Sequence, residues 1–278
     1  MVCYRSHYFV QSRLTLPPRQ YKSPAFAVNL LQTLQALRVP LWSTLEIKPA
    51  SVTIFKVPGS LTNMVFFVSF PSLPTLLLRI YGSSSASLIS RPRELHTLHI
   101  LSSQYGIGPR VLGTFENGRV EEYFESTTLT PSDIRDPTIS RWIGARMAEF
   151  HLVDIERVEG EVWEIGVLKN VKSWLPPAEK VLTLPAMTDK ARRQINLPAF
   201  KKEWQKYLAW LSTVDDTHNG SKRVFAHNDT QYGNLLRLRD FKDAVDEHRQ
   251  VGAPTLISIL DAYLLLSAGG RGLRICFS

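Results

Sequence analysis

Cysteine, long apolar runs and blocks of like charge are all scarce in this sequence, and each absence excludes a class of protein. The 278 residues include two cysteines, Cys3 and Cys276, and neither belongs to a C-x-x-C pair or a Cys/His cluster. A disulfide-based fold and a zinc site of the usual spacing are therefore excluded. No stretch of about 18 uncharged apolar residues occurs, and the N-terminal region has no apolar signal core, so we expect no stable membrane insertion. Together these absences predict a cytoplasmic protein.

The basic excess of the chain is scattered along its length. The sequence has 33 Lys and Arg against 25 Asp and Glu, which gives a formal net charge of +8. No run of five like charges occurs, and scattered basic residues usually form a solvated surface. We therefore predict no nucleic-acid partner. With 44% hydrophobic and 21% charged residues, the composition is that of a folded protein with one large core or two lobes.

The first third of the chain changes its periodicity twice. Residues 1–25 contain proline, serine and arginine without any periodicity, which predicts a flexible arm. In residues 27–37 apolar residues recur at helical spacing, which predicts a helix. Three runs rich in β-branched and aromatic residues follow at 52–57, 64–70 and 75–81, separated by turn residues. These runs predict three antiparallel strands.

A helix and a hairpin are expected next. Apolar spacing after a Ser-rich loop predicts a helix that ends at residues 106–109, which read Gly-Ile-Gly-Pro. Residues 111–115 and 119–124 are predicted strands on either side of Asn117-Gly118, the strongest short hairpin signal.

The second half is expected to be mostly helical. The clearest helical patterns cover residues 139–152 and 200–211. Between them we expect a long irregular stretch, because it is rich in proline: Pro176, Pro177, Pro185 and Pro198.

The run FAHNDTQYGN at residues 225–234 is the strongest chemical motif. Its Asp229 and Asn234 have the spacing of a phosphotransferase catalytic loop, in which a carboxylate accepts the proton of the attacking hydroxyl and an amide oxygen reaches Mg²⁺. The alternative is a polar surface turn, where Asn and Asp make local hydrogen bonds. The apolar strand before the run and the length of the whole string favour the catalytic loop.

Several segments together resemble the choline/ethanolamine kinase family, in which His-Asn-Asp stands where protein kinases have His-Arg-Asp. The resemblance runs in the family's order from about residue 50 to about residue 260, and fungal choline kinases are the most similar by overall look. Its segments are residues 57–63, 76–82, 107–113, 121–124, 147–151 and the catalytic loop.

The resemblance implies an α+β, bilobal protein-kinase-like fold. We expect a nucleotide-binding lobe built on an antiparallel sheet over residues 26–125, and a mostly helical lobe with the catalytic loop over residues 126–278. ATP is the implied co-substrate and Mg²⁺ the implied cofactor. The residues expected to bind the nucleotide are Pro58, Gly59, Ser60, Leu61, Asn63, Arg79, Glu94, Glu122 and Tyr123.

Some of these expectations also have a warrant in the residues themselves. Arg79 interrupts an apolar strand, where a charge needs a partner or a ligand, and Glu94 near the start of the next helix is the candidate partner. The alternatives are an arginine that reaches solvent from an edge strand and an exposed glutamate at a helix N-terminus. The turn at residues 57–63 is either a cover over the phosphates or a plain hairpin turn.

In the catalytic loop the resemblance implies a proton-accepting role for Asp229 and a metal-binding role for Asn234. Gln231 either orients the loop and substrate or is a surface amide, and His227 is expected to be a structural hydrogen-bonding residue rather than a proton carrier. The second metal carboxylate is expected to be Asp261, because an apolar strand precedes it. Its rivals lie in a polar connection: Asp240, Asp243 and Asp246.

The implied reaction is ATP-dependent phosphorylation of the hydroxyl of choline, which gives phosphocholine, the first step of the CDP-choline route to phosphatidylcholine. Ethanolamine or an aminoglycoside-like amine is the alternative substrate, and a homodimer is allowed. After Asp261 the sequence departs from the family, because residues 262–270 read AYLLLSAGG where an aromatic and acidic stretch is expected. We therefore keep a second hypothesis, a C-terminally truncated and catalytically impaired fragment that binds nucleotide or a kinase partner without turnover.

Overall fold

The computed structural model describes residues 8–58, 63–82, 90–215, 223–227, 230–238 and 267–268. Several residues singled out in the sequence lie outside these ranges: Gly59, Ser60, Leu61, Asp229, Asp261 and the three rival aspartates. The strand predicted before Asp261 lies outside them as well.

In the first half of the chain two helices separate three groups of strands, and helices dominate the second half up to residue 215. The helices are α1 (Pro24–Ala36), α2 (Arg91–Gln104), α3 (Pro137–His151), α4 (Ile155–Glu159), α5 (Gly166–Leu182), α6 (Asp189–Gln194) and α7 (Leu197–Asp215). The strands are β1 (Gln11–Ser12), β2 (Thr53–Val57), β3 (Asn63–Ser69), β4 (Leu76–Tyr81), β5 (Val111–Phe115), β6 (Gly118–Glu122), β7 (Ser126–Thr128), β8 (Arg223–Val224), β9 (Leu236–Leu238) and β10 (Ser267–Ala268).

Six of the strands form one sheet in the order β1-β5-β6-β4-β3-β2. The pairs from β2 to β6 are antiparallel, and only β1 runs parallel to its neighbour β5. The three consecutive antiparallel strands and the helix after them, which the sequence predicted, are confirmed. The predicted lobe boundary falls just before β7 and stays a prediction.

One face of this sheet forms the main apolar core with α1. Ser23 caps the helix by accepting a hydrogen bond from the backbone N–H of Phe26 at 3.2 Å. Phe26, Leu30 and Leu34 of α1 are buried in one cluster with sheet residues, among them Phe66, Leu78, Ile80 and Val120. Because side chains alternate along a strand, the residues between these point to the other face, and that face carries the polar groups described below.

The segment from Tyr8 to Leu16, here called the N-terminal strap, lies along β5. The backbone N–H of Thr114 donates to the carbonyl of Val10 at 3.0 Å. The Asn117 side chain clamps the far end of the strap, since it accepts from Leu16 N at 3.0 Å and donates to Leu16 O at 2.9 Å. Leu16 is fully buried. The strap is therefore packed on the sheet, whereas the sequence predicted a flexible arm over residues 1–25. The difference arises because the strap's partners lie about 100 residues away in the sequence.

The predicted hairpin between β5 and β6 is confirmed, but its turn lies one residue earlier than the Asn-Gly signal suggests. Phe115 pairs with Gly118, so Glu116 and Asn117 form the two-residue loop and Gly118 is the first residue of β6. Gly118 is needed for space, because a Cβ there would overlap the carbonyl oxygen of Arg79 and the ring of Phe115.

The expectation of a long irregular, proline-rich stretch in the second half is wrong. Residues 155–194 contain three helices, and α5 continues through Pro176 and Pro177. Each proline removes one backbone donor from the helix. The apolar residues of α5 still recur every three or four positions, which is the pattern that favours a helix: Val167, Leu168, Val171, Trp174, Leu175, Ala178 and Val181.

A buried glutamate joins α2 to the helices that follow. Glu159, the last residue of α4, is 2% exposed. Its carboxylate accepts hydrogen bonds from Arg93 Nε at 3.1 Å and from Lys169 Nζ at 2.9 Å. Arg93 belongs to the first turn of α2 and Lys169 to the first turn of α5, so one side chain links three helices.

Replacing Glu159 by glutamine is therefore expected to lower the free energy of unfolding by about 2 kcal/mol, because hydrogen bonds between charged groups are lost at a buried site. Urea denaturation measures this change. The control is Glu203→Gln, which removes an exposed pair with Lys206 and should change stability by less than about 0.5 kcal/mol. Equal effects of the two substitutions would contradict the structural role of Glu159.

Membrane spanning is not supported by any helix in the described part of the chain, since none is both long and apolar enough to cross a bilayer.

Candidate active site

The polar face of the sheet carries a set of buried charges. Arg79 on β4 and Arg119 on β6 are each 3% exposed, and the strand register places them directly opposite each other. Glu121 lies two residues beyond Arg119, on the same face. Arg91 and Glu94 enter from the first turn of α2, which begins directly after residue 90. We call these five residues the charge cluster.

Positive and negative groups alternate through the charge cluster. Glu121 Oε1 lies 3.4 Å from Arg79 Nε and also forms an ion pair with Arg119 Nε. Glu94 Oε1 lies 3.0 Å from Arg119 Nη1, and Glu94 Oε2 lies 2.6 Å from Arg91 Nη1. The order is therefore Arg79, Glu121, Arg119, Glu94, Arg91. It contains one more positive than negative charge, which suits an anionic ligand such as a phosphate chain.

The cluster excludes the solvent-exposed alternative for each of two residues. Arg79 does not reach solvent from an edge strand, because β4 lies between β3 and β6. The Glu94 side chain is 10% exposed, so it is not a surface residue of the helix. Arg79 and Glu94 were predicted to pair with each other. In the ion pairs just described they are linked indirectly, because Glu121 and Arg119 lie between them. Neither Glu121 nor Arg119 was predicted from the sequence as a site residue.

The charges of the cluster lower the pKa of its two carboxyl groups. Burial alone would raise the pKa of Glu94, but Arg119 and Arg91 outweigh it and hold the pKa below its ordinary value of 4.5. Burial opposes ionisation of Glu121 in the same way, and Arg119 and Arg79 likewise hold its pKa below 4.5. Arg119 stays charged, because the two carboxylates outweigh burial and raise its pKa well above the ordinary value.

These shifts predict an acid-sensitive fold. A carboxyl group whose pKa is lower in the folded than in the unfolded chain stabilises the folded state. This contribution is complete above the pKa of the unfolded chain and is lost as the pH falls through the pKa of the folded chain. We expect the free energy of unfolding to decrease from about pH 5 to about pH 3. Urea denaturation across this range measures it. Glu94→Gln should flatten the profile and exposed Glu203→Gln should leave it unchanged; a Glu94→Gln profile as steep as the wild type would contradict the prediction.

An aromatic row lies on the same face of the sheet, away from the charge cluster. Phe55 of β2 stacks on Phe67 of β3 with ring centroids 6.2 Å apart, and Tyr123 lies 4.8 Å from Phe67. Phe55 is 57% exposed, so the row has an open side. A flat aromatic ligand could pack there while its charged end reached the cluster. Tyr123 was predicted from the sequence as a nucleotide-site residue, and the two phenylalanines were not.

Two other predicted nucleotide-site residues are held by the fold. The Glu122 carboxylate accepts hydrogen bonds from Arg110 N at 3.0 Å and Arg110 Nε at 2.7 Å, which ties the end of β6 to the start of β5. Asn63 is buried, and its Oδ1 accepts from Arg91 Nη2 at 3.0 Å. Asn63 thus lies at the edge of the charge cluster. Pro58 is exposed directly after β2.

Both ends of the predicted catalytic loop rest on apolar clusters. Phe225 is fully buried and packs with Phe150 of α3 at a ring distance of 4.9 Å. At the other end Leu235 is buried, and its carbonyl accepts a hydrogen bond from Leu129 N at 2.9 Å. β9 begins directly after Leu235 and pairs with β7. The ends of the run are therefore fixed on either side of residues 228 and 229.

Within the loop, three predicted residues have different environments. His227 is 5% exposed and lies 6.3 Å from the Phe150 ring, which suits the structural role expected of it. Gln231 is exposed, and its carbonyl accepts from Asn234 N at 2.9 Å. Asn234 is the last residue of a short 3-10 turn that begins at Tyr232, and it is half-buried. Its amide oxygen is a hard ligand of the kind Mg²⁺ prefers.

The arrangement resembles solved kinases. An ethanolamine kinase of Plasmodium vivax aligns with a TM-score of 0.62 at 16% identity, over 86% of this chain and 64% of that one. A choline kinase of Cryptosporidium parvum aligns with a TM-score of 0.59 at 20% identity, over 86% of this chain and 65% of that one. At such identities the likeness concerns the fold alone. The chain therefore has the α+β, bilobal protein-kinase-like fold that the sequence predicted.

Sequence comparison identifies the family. The family described as Choline/ethanolamine kinase matches residues 54–250, so the chain belongs to the choline/ethanolamine kinase family. It is 36% identical to choline kinase of Schizosaccharomyces pombe over 231 residues, which cover 80% of this chain and 50% of that protein. It is 35% identical to choline kinase of Saccharomyces cerevisiae, over 75% of this chain and 37% of that protein. It is 30% identical to ethanolamine kinase of the same yeast, over 86% of this chain and 48% of that protein. The chain thus spans half or less of the length of these relatives.

Proposed function

We propose that this chain binds Mg²⁺ and ATP on the polar face of its sheet and transfers the γ-phosphoryl group to the hydroxyl of choline. The observation that supports this most is the charge cluster, a buried set of charges with one excess positive charge, on the same face as the aromatic row. A nucleotide has the same layout, with a flat base at one end and a chain of phosphates at the other.

In this proposal the parts of the site have separate tasks. The base packs near Phe67 and Tyr123, and Arg79 at the end of the charge cluster contacts the phosphates. The predicted turn at residues 57–63 covers the phosphates, with Asn63 at its end. Excess positive charge placed before the ligand arrives stabilises the charge of the transferring phosphoryl group without reorganisation.

Asp229 is proposed to accept the proton of the substrate hydroxyl as the oxygen attacks the γ-phosphorus, while the bond from that phosphorus to the bridging oxygen breaks and ADP leaves. The buried anchors at Phe225 and Leu235 would hold the loop in place during this step, and positioning is the main contribution of a protein to phosphoryl transfer. Mg²⁺, held by Asn234 and Asp261, would neutralise charge on the phosphates. The donor types fit, because both are oxygen ligands.

Choline is proposed as the substrate because the yeast relatives named choline kinase are 35–36% identical, against 30% for the one named ethanolamine kinase. The shortage of cysteine supports a cytoplasmic location as part of the proposal. The homodimer stays a prediction.

A coupled assay of ADP release with the purified chain, Mg·ATP and either choline or ethanolamine tests the proposal. We expect turnover that requires an amine alcohol, with a higher kcat/KM for choline. A higher value for ethanolamine would replace the substrate and keep the chemistry. Binding of ATP without turnover on either alcohol would instead support the catalytically impaired fragment.

A further inference from the structure

We propose that Arg119 is a positioning residue that keeps the Arg79 guanidinium available for the phosphates of ATP. The inference deepens the proposed function and rests on it. It concerns a residue that touches no expected ligand in the proposed site and acts through two carboxylates.

The sheet places two buried positive charges next to each other. Arg79 and Arg119 are cross-strand neighbours on the same face, and both side chains are buried. Like charges directly opposite each other destabilise a strand pair, and burial makes each charge more costly. Two arginines in these positions therefore need carboxylates between and around them, and Glu121 and Glu94 occupy those places.

Arg119 lies at the centre of the charge cluster. It forms ion pairs with both carboxylates, through Nε to Glu121 and through Nη1 to Glu94 at 3.0 Å. Its Nη1 also lies 3.5 Å from the hydroxyl of Tyr81. Arg79 is paired with Glu121 at a longer 3.4 Å, and Arg91 with Glu94. The central arginine thus shares each carboxylate with one of the two outer arginines.

The shared carboxylates affect how strongly Arg79 is held within the cluster. Arg79 already acts on Glu94, because its charge contributes to the lowered pKa of that carboxyl group. Without Arg119, two buried carboxylates would face two arginines, and the cluster would lose its excess positive charge. Both carboxylates would then attract Arg79 more strongly, and less of its charge would be available to a phosphate.

A purely structural role for Arg119 makes a different prediction. If Arg119 only stabilised the sheet, its loss would weaken every part of nucleotide binding alike. If it positions Arg79, its loss weakens binding in proportion to the phosphate charge and leaves binding of the base intact. Adenosine, ADP and ATP therefore separate the two roles.

The test measures affinity for adenosine, Mg·ADP and Mg·ATP by competition with a fluorescent ATP analogue, in the wild-type chain and in Arg119→Gln and Arg119→Lys. For Arg119→Gln we expect the Kd for Mg·ATP to rise about ten-fold and the Kd for adenosine to change less than about two-fold. Arg119→Lys retains the charge but not the fork that spans both carboxylates, so we expect a partial loss of about three-fold.

The matched control is Arg157→Gln, which removes an exposed arginine that pairs with Asp154 at the start of α4, away from the sheet. It should leave all three affinities unchanged within about two-fold. In the turnover assay, Arg119→Gln should raise KM for ATP and leave KM for choline unchanged.

The possible results distinguish failure of the inference from failure of the proposed function. An unchanged Mg·ATP affinity in Arg119→Gln, or an equal loss for adenosine and ATP, would overturn the inference and leave the proposed function standing. Should Arg119→Gln not fold, Arg119→Lys decides by the same comparison. A wild-type chain that binds no ATP would overturn the proposed function itself, and the inference with it.

Discussion

Asp229→Ala is expected to lower kcat for choline phosphorylation by about a thousand-fold, with little change in KM for ATP. The reason is that a positioned general base contributes about this much to a proton-coupled step, whereas the residues proposed to bind ATP are left unchanged. Steady-state kinetics with choline and ATP varied separately measure the effect. The expected pattern is a loss in the transition state rather than in ground-state binding.

The control for this prediction is Asp189→Ala, which removes an exposed carboxylate from the first turn of α6 and should leave kcat unchanged. Comparison of circular dichroism spectra establishes that both variants are folded. Turnover of Asp229→Ala within about ten-fold of the wild type would exclude Asp229 as the general base.

Gly118→Ala is expected to lower the free energy of unfolding by about 3 kcal/mol, a large effect for a single methyl group. The new Cβ would overlap the backbone oxygen of Arg79 and the ring of Phe115. Backbone cannot rotate away as a flexible side chain can, so β4 and β6 must separate locally. Because the displaced carbonyl belongs to Arg79, we also expect weaker Mg·ATP binding.

Gly144→Ala is the matched control, because Gly144 lies inside α3 and a Cβ there would meet no atom within 4 Å. Alanine is the better helix former by about 1 kcal/mol, so this variant should be as stable as the wild type or more so. Thermal and urea unfolding of both variants provide the comparison. A Gly118→Ala chain of unchanged stability would show that the two strands can separate without cost.

Local patterns in the sequence predicted the sheet well. The runs at residues 52–57, 64–70 and 75–81 are β-branched or aromatic and bounded by turn residues, and each corresponds to a strand. The helix after them and the hairpin have equally local signals. The protein-kinase-like fold was predicted from the family resemblance and not from local patterns, and the role proposed for the catalytic loop rests on the same resemblance.

Features that depend on register or on distant partners were not predictable in this way. Arg119 and Glu121 are two polar residues in a strand, and nothing local shows that Arg119 would lie opposite Arg79. The charge cluster exists only because the register of β4 and β6 and the position of α2 coincide. Glu159 is a similar case, since its partners Arg93 and Lys169 belong to two other helices.

The wrong prediction of an irregular stretch has a local cause. Pro176 and Pro177 are strong helix-breaking signals, and they obscure the apolar repeat around them. A proline costs about 3 kcal/mol inside a helix, which an amphipathic helix with enough apolar contacts can offset. Counting apolar matches at helical spacing over residues 166–182 would have favoured the helix.

The N-terminal strap has a further consequence for how the chain behaves in isolation. Its backbone occupies hydrogen-bonding groups of β5 and of the turn after it, which would otherwise form an open edge of the sheet: Thr114 N bonds to Val10 O, and Glu116 N bonds to Leu14 O. Open strand edges are templates for pairing with other chains and for aggregation. The strap precedes the residues that match the family, 54–250. A shortened protein that kept only those residues would bare this edge and, because α1 is lost with the strap, the apolar face of the sheet as well. Its self-association would follow from both and would say nothing about its chemistry.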